Sequence, residues 1–562
     1  MMNNPVNEMN NKIRALLEES YKACVAEGLL PEAELVPFDI EQPKDAKNGD
    51  FSSNFAMKNV RVLKKAPQMI GQMLLDHLPA CTEIERAEIA GPGFLNFYLG
   101  GSYFADVTRS AAVLGADYGK TNRLNGEKIM VEFVSANPTG PMHMGNARGG
   151  VVGDSLANVL AWAGADVHKE FYVNNAGNQV SLFGLSLYTR LQQLLKGEDA
   201  VEFPENGYHG DDIKVLAKTY LENHPEAAEE AEEVVTPKMI AFGLENNIAR
   251  MKSDLAKYKI QFDEWFLEST LHESGYVAET VKLLEDRGWM YEQEGAKWFK
   301  ATEFGCEKDE VLVKANGFYT YYAVDIAYHR NKFEKRGFDR CIDVFGADHH
   351  GHTLRFKAAM AAIGQDQEKL QFVLMQLVRL MKDGEPFRMS KRTGKSITLA
   401  DLLNEIPADA ARFFFNLNRC DSAMDFDLDL ALKQDNENPL YYVQYAHARI
   451  CSIIRTMDEL GVTYHDAPID AAMFQTNEER ALIRAIANFP EEIVGCADAL
   501  ETSRLTHYVM QVAGCFHSFY NACRIKGEAE GLQKARLALC IATKNVIANA
   551  LALMGIDAPE KM

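Results

Sequence analysis

Apolar residues recur at helical spacing near the start of the chain, at Ile13, Leu16, Leu17 and Tyr21, and predict an amphipathic helix. Further on, Ile89, Phe94, Phe97 and Tyr98 flank Gly91-Pro92-Gly93, a strand and turn signature. Residues 1–115 therefore read as a small α+β unit. From Lys128 the pattern changes: IMVEFVS is β-rich, ANPTGPMHMG is turn-rich, Ala147 to Ala163 is helix-like, and VHKEFYV is again a strand candidate. Strand, helix and strand in that order predict a βαβ unit in a parallel sheet. Between about 187 and 260 the periodicity loosens, and the acidic PEAAEEAEEV (225–234) reads as a solvated helix within an insertion. VLVKA (311–315), CIDVFGA (341–347) and FVLMQLVRLM (372–381) predict a return to the α/β core, which should span 116–400. Beyond it, stretches such as NPLYYVQYAHARICSIIR predict a helical bundle over 401–562, with FFFNL (413–417) as a strand signal within it. The expected fold class is α/β multidomain: an N-terminal α+β domain, a parallel-sheet domain and a C-terminal all-α bundle.

Composition changes this picture little. The 562 residues are 47% apolar and 25% charged, which excludes a disordered, collagenous or disulfide-stapled chain. The formal charge is −21, so a nucleic-acid partner needs a local basic surface. The ten cysteines form no C-x-x-C pair, and no structural zinc is expected. There is no hydrophobic signal core and no run of about 18 apolar residues, so a cytoplasmic protein without membrane contact is expected.

Two short motifs carry candidate chemistry. His143-Met144-Gly145-Asn146 follows the first strand of the βαβ unit and opens its helix, where imidazole, amide and helix N-terminus can face an anion. Gly145, lacking a side chain, would let a flat base approach the backbone. Some 240 residues downstream, Arg388-Met389-Ser390-Lys391-Arg392 lies between Gly384 and Gly394-Lys395. Nine Lys or Arg against four Asp or Glu over 355–395 give that segment a local charge of +5, suited to a polyphosphate or an RNA backbone.

H-x-G-N and R-M-S-K-R in this order resemble the two signature sequences of class I aminoacyl-tRNA synthetases. Longer segments are similar to the arginyl-tRNA synthetase family: VEFVSANPTGPMHMGNARGGVVGDS (131–155), EFYVNNAGNQ (170–179), YTYYAVDIAYH (319–329), FGADHHGH (345–352) and DAARFFFNLN (409–418). GDFSSNFAMKN and LALMGIDAPEKM extend the likeness towards both termini. The resemblance implies a Rossmann-type catalytic domain, an N-terminal domain touching the tRNA elbow, and a helical anticodon-binding domain. It also implies arginine, ATP and tRNA(Arg) as substrates.

By the same resemblance, His143, Asn146 and Lys391 are catalytic, and Gly145, Arg388, Met389 and Ser390 join them around ATP. Arg388 and Arg392 replace the lysine and serine of the general signature, and Asn146 replaces a second histidine. The guanidinium of arginine, a planar fork of five donors, needs carboxylates and a phenol oxygen. Asp325 and Tyr321, four apart on a helical turn, meet that need, and the resemblance adds Glu268. It places Ser135, Asn137, Asp348 and His349 around the amino and carboxylate ends. Asn96 matches a position that contacts the tRNA D-loop. Tyr441, Tyr442 and Tyr445 are candidates for stacking on anticodon bases. His349, His350 and His352 would suit a metal by type, yet they fall in the substrate-pocket match, so the only metal expected is Mg2+ carried with ATP. A monomer is the default expectation. Two rival readings remain: another adenylyl-transferring enzyme sharing the signature pair, and a catalytically silent tRNA-binding scaffold.

Overall fold

The computed structural model describes residues 3–387 and 397–562, without the side chains at 46, 349 and 350. A helix at Pro5–Ala26 buries Met9, Ile13, Leu17 and Cys24. It precedes strands β1 (Ile40–Glu41), β2 (Phe51–Ser53), β3 (Ile84–Ala90) and β4 (Phe94–Leu99), antiparallel in the order β1-β2-β4-β3. Gly91 and Gly93 turn β3 into β4 with φ of +52° and +127°, which favour glycine.

The central sheet comprises β5 (Lys128–Glu132), β6 (Asp166–Val173) and β7 (Glu264–Leu267), joined later in the chain by two further strands. Between β7 and those two, an antiparallel sheet of β8 (Met290–Gln293), β9 (Ala296–Phe299) and β10 (Glu310–Val313) intervenes. The core then resumes with β11 (Arg340–Gly346) and β12 (Leu370–Met375), and the five strands run parallel in the order β12-β11-β5-β6-β7. Their order reverses between β5 and β11, and the crevice outside the carboxyl ends at such a switch point is where open α/β sheets take ligands. The helix Met144–Trp162 packs so closely on the sheet that a Cβ at Gly153 would lie 2.2 Å from Phe133.

Three sequence expectations change. VLVKA supplies β10 of the antiparallel sheet, not a core strand. The acidic 225–234 segment is not one helix: Pro225–Ala228 is a short 3-10 turn, and a long helix starts at Glu232, where Glu232 and Glu233 complement the positive helix end. FFFNL is not a strand, because Ala408–Phe415 is a helix buried nearly all round, and a short apolar run does not by itself distinguish the two. The insertion folds as helices Asn178–Lys196, Asp211–Asn223 and Glu232–Lys257 around Phe183, Leu187, Tyr220 and Met239.

β13 (Val378–Lys382) pairs with β14 (Glu385–Pro386) and, in parallel, with β15 (Met424–Asp427). The chain then enters five longer helices, from Pro439–Glu459 to Glu530–Leu553. The last is apolar and long enough to cross a membrane, but 72% of its most apolar window is buried in the bundle.

Candidate active site

A cavity of about 590 Å3 opens at the switch point, lined by Val134 and Ser135 after β5, His143 to Asn146 at the helix start, Val344 to Gly346 ending β11, Asp348, and Met375 to Val378 after β12. The turn leaving β5 is strained: Val134 and Ser135 have φ of +70° and +43°. A β-branched residue there costs on the order of 1–3 kcal/mol, a strain typical of functional sites. His143 is exposed as the N-cap, and its backbone N–H donates to Asn146 Oδ1 at 3.0 Å. The amide oxygen of Asn146 is thus committed to the cap, while its NH2 end remains the part able to donate to an anion. A Cβ at Gly145 would meet nothing within 4 Å, so this lining stays low where a flat ligand could lie.

Arg388, Met389, Ser390, Lys391 and Arg392 lie outside the described residues. The segment that follows them is anchored at the cavity: Ile397 lines it, Met144 N–H donates to Ile397 O at 2.9 Å, and Leu399 N–H donates to Met142 O at 3.0 Å. The residues from Ile397 onward therefore meet the rim built by Met142 and Met144.

A second cavity, of about 810 Å3, is lined by Glu268, His272, Tyr321 and Val324 among others. The helix Tyr321–Arg330 starts at Thr320, whose hydroxyl caps Ala323 N–H, and one turn separates Tyr321 from Asp325. Glu268 is 4% exposed and accepts from Tyr172 Oη at 2.8 Å; burial holds its carboxyl above the ordinary range. Asp325 is pushed up to about 7, first by burial and then by the neighbouring charges of Glu268 and Glu132, against the lowering effect of His329. Among the described residues its carboxylate has no hydrogen-bond or ion-pair partner. Of these acids Glu268 lines the cavity with Tyr321, whereas Asp325 lines neither cavity and follows Val324 in the helix, close enough to Glu268 to feel its charge; desolvated carboxylates near a phenol are the chemistry that suits a planar cation.

The family descriptions that match fit this geometry. "tRNA synthetases class I (R), catalytic domain" matches residues 110–427, "Arginyl tRNA synthetase N terminal domain" residues 7–99, and "DALR anticodon binding domain" residues 443–562. Arginine–tRNA ligases from Ruminiclostridium cellulolyticum and Acetivibrio thermocellus are 50% and 49% identical, each over 100% of both chains. The chain belongs to the arginyl-tRNA synthetase family. A solved Thermus thermophilus arginyl-tRNA synthetase shares its fold, with a TM-score of 0.74 at 24% identity over 98% of this chain and all of the other. Membership makes the chain a class I, ATP-using arginine–tRNA ligase.

Other positions expected of an arginyl-tRNA synthetase are placed less uniformly. Ser135 and Asp348 line the first cavity, whereas Asn137 is exposed two residues beyond Ser135 and lines neither cavity. The side chain of His349 lies outside the described residues. Asn96 is 2% exposed inside the N-terminal sheet and accepts from Ser52 Oγ at 2.7 Å, so its side chain is buried rather than presented on the surface. Tyr441 and Tyr445 stack at 6.3 Å between ring centroids and 9° between planes, and Tyr445 stacks in turn near His517 at 6.2 Å. Tyr445 is 41% exposed, and Tyr442 is turned inward against His517.

Sequence reasoning missed Tyr172, His329, Lys332 and Glu132, whose hydrogen bonds reach the candidate residues Glu268, Asp325 and Ser135, and His517, which packs against Tyr442 and Tyr445 in the helical bundle. A readable signal existed for some. Glu132 and Asp343 are acids inside largely apolar central strands, and such buried charges require partners. The candidate metal cluster His168, Glu170 and Glu264 is bridged by the guanidinium of Arg336, which donates to both carboxylates and so already places a cation between them.

Proposed function

We propose that the arginine–tRNA ligase reaction is divided between the two cavities, with the amino acid between them. ATP occupies the switch-point cavity, its base over Gly145 and its phosphates facing His143, the Asn146 amide and the helix N-terminus. Ser390 and Lys391 complete that cradle from the signature loop, and Lys391 follows the departing pyrophosphate. Mg2+ enters with ATP as part of the substrate. Arginine extends its guanidinium to Asp325, Glu268 and Tyr321 and its amino end to Ser135. Its carboxylate attacks the α-phosphorus, pyrophosphate leaves, and the arginyl group then passes from AMP to the terminal ribose hydroxyl of tRNA(Arg). Preorganised donors at the growing phosphate charge each lower the barrier by roughly 2.7–4 kcal/mol.

The observation that carries this reading is the contrast between the two cavities: a helix N-terminus with an open glycine at one, and at the other the desolvated Glu268 with the Tyr321 phenol, backed by the desolvated Asp325. The stacked pair Tyr441 and Tyr445 supports base stacking on the anticodon loop, worth roughly 1–3 kcal/mol per base. Residues 1–115 and 401–562 are the tRNA-contacting domains flanking a catalytic unit, and the chain works as a cytoplasmic monomer. ATP–pyrophosphate exchange with all twenty amino acids, run with and without tRNA and paired with a charging assay on purified tRNA pools, tests the reading. Exchange driven by an amino acid other than arginine, or no arginyl-tRNA formed, overturns it.

A further inference from the structure

Glu132 ends β5 and Asp343 lies directly opposite it on β11, so two carboxylates face each other across the switch point. Glu132 is 4% exposed and Asp343 is fully buried. Like charges paired across adjacent strands repel, and buried ones do so with little screening. The repulsion is met by Lys332, itself 0% exposed, whose Nζ donates to Glu132 Oε2 at 2.7 Å and Asp343 Oδ1 at 2.8 Å. Its ammonium also sits 4.4 Å over the Tyr328 ring. Lys332 comes from a single π-helical turn, Asn331–Lys335, which widens the end of the helix carrying Tyr321 and Asp325. The other oxygen of Asp343 pairs with His329 Nε2 at 2.9 Å, and His329 Nδ1 meets the Asp325 carbonyl at 2.7 Å.

The chain of contacts ends at the cavity wall. Ser135 Oγ donates its only proton to Glu132 Oε1 at 2.9 Å and accepts from Tyr172 N–H at 3.2 Å. A hydroxyl so committed has one lone pair left and no proton to give. Tyr172 also donates its phenol to Glu268, so one residue joins the serine to the acid pocket.

We propose that Lys332 is a positioning residue that, through Glu132, fixes the Ser135 hydroxyl as a pure acceptor and thereby selects substrates carrying a free α-ammonium group. The inference rests on the placement of the amino end at Ser135 under the function proposed above. Lys332 donates to Glu132 and Asp343 together and favours the ionised carboxylate of Glu132, which stays an acceptor for the serine proton. An α-ammonium then donates to the remaining lone pair. An α-hydroxyl offers one donor in place of three and gains less.

The test compares arginine with argininic acid, which carries a hydroxyl in place of the α-amino group, by tRNA-dependent AMP formation in the full-length protein. In wild type, arginine should be preferred strongly. Glu132→Gln offers Ser135 an N–H as well as an oxygen, frees the serine proton, and should lower the ratio of kcat/KM values for arginine over argininic acid at least tenfold, with KM for ATP within twofold. Lys332→Met should lower the same ratio, and the double variant should lower it no further, because both act through one chain of contacts. Should Lys332→Met fail to fold, Glu132→Gln decides alone. A ratio unchanged in Glu132→Gln, or equal losses for both substrates, overturns the proposal. Failure of wild type to use arginine overturns the function reading instead, so the two failures are distinguishable.

Discussion

Arg412 donates to Asp154 from a position with no solvent exposure, tying the C-terminal half of the chain to the helix that begins at His143. The same guanidinium donates to Tyr258 O at 3.0 Å, where the insertion ends, and to Met554 O at the end of the last long helix. Asp154 also accepts from Lys169 Nζ at 2.7 Å. One planar cation thus joins the helix that follows the H-x-G-N motif, the insertion and the bundle. Arg412→Ala should destabilise the protein by about 3–5 kcal/mol, since Asp154 keeps only Lys169 of its two cationic partners and two buried carbonyls lose their donor while a large cavity opens. Arg412→Lys should recover less than half of that, because an ammonium lacks the fork. Thermal and urea unfolding measure both.

Asp325→Asn removes the carboxylate that lacks a partner and should weaken arginine by about 10- to 100-fold, the worth of a charge-assisted hydrogen bond of roughly 1.5–3 kcal/mol. ATP affinity should change less than twofold. The variant's melting temperature without ligand should rise at pH 8, because a buried, unpaired charge has been removed. Citrulline, uncharged at the same position, should be rejected by wild type about 10⁴-fold in kcat/KM, as a site built for polar pairing rejects a mismatched analogue. Comparable losses for arginine and ATP in the variant would count against the pocket.

Burial pushes the Asp325 carboxyl up to about 7 from its ordinary 3.8, and a guanidinium beside it would favour the ionised form. Below pH 7 binding therefore releases a proton, and arginine affinity should rise about tenfold per pH unit between pH 5.5 and 6.5, levelling off above 7.5. Calorimetry in buffers of different ionisation enthalpy should find close to one proton released at pH 6 and almost none at pH 8. Asp325→Asn should abolish that dependence.

Two glycines of one helix should respond in opposite ways. Gly153→Ala places a Cβ 2.2 Å from Phe133 and should cost about 1–3 kcal/mol of stability by forcing helix and strand apart. Gly145→Val points into open space and should leave stability unchanged while raising KM for ATP several-fold. Unfolding curves and steady-state kinetics on the two variants separate these effects.

Much of this protein is set by local pattern. Period-two and helical spacing mark β5, the following helix and β6, glycines mark the β3–β4 turn, and H-x-G-N with R-M-S-K-R mark the nucleotide chemistry, because each needs residues close together in the chain. The sequence likewise supplies Asp325 and Tyr321 as a pair, since one helical turn brings them together. Tertiary structure alone decides the rest. VLVKA and FFFNL take their states from what packs on them, and a short apolar run is compatible with either. Lys332 looks like a surface lysine beside other charged residues, and Arg412 like one turn of a helix. Both become fully buried only because strands and domains 150 to 260 residues apart converge on carboxylates that burial would otherwise leave unpaired. Burial and charge pairing depend on distance in space, and local spacing along the chain carries no record of it.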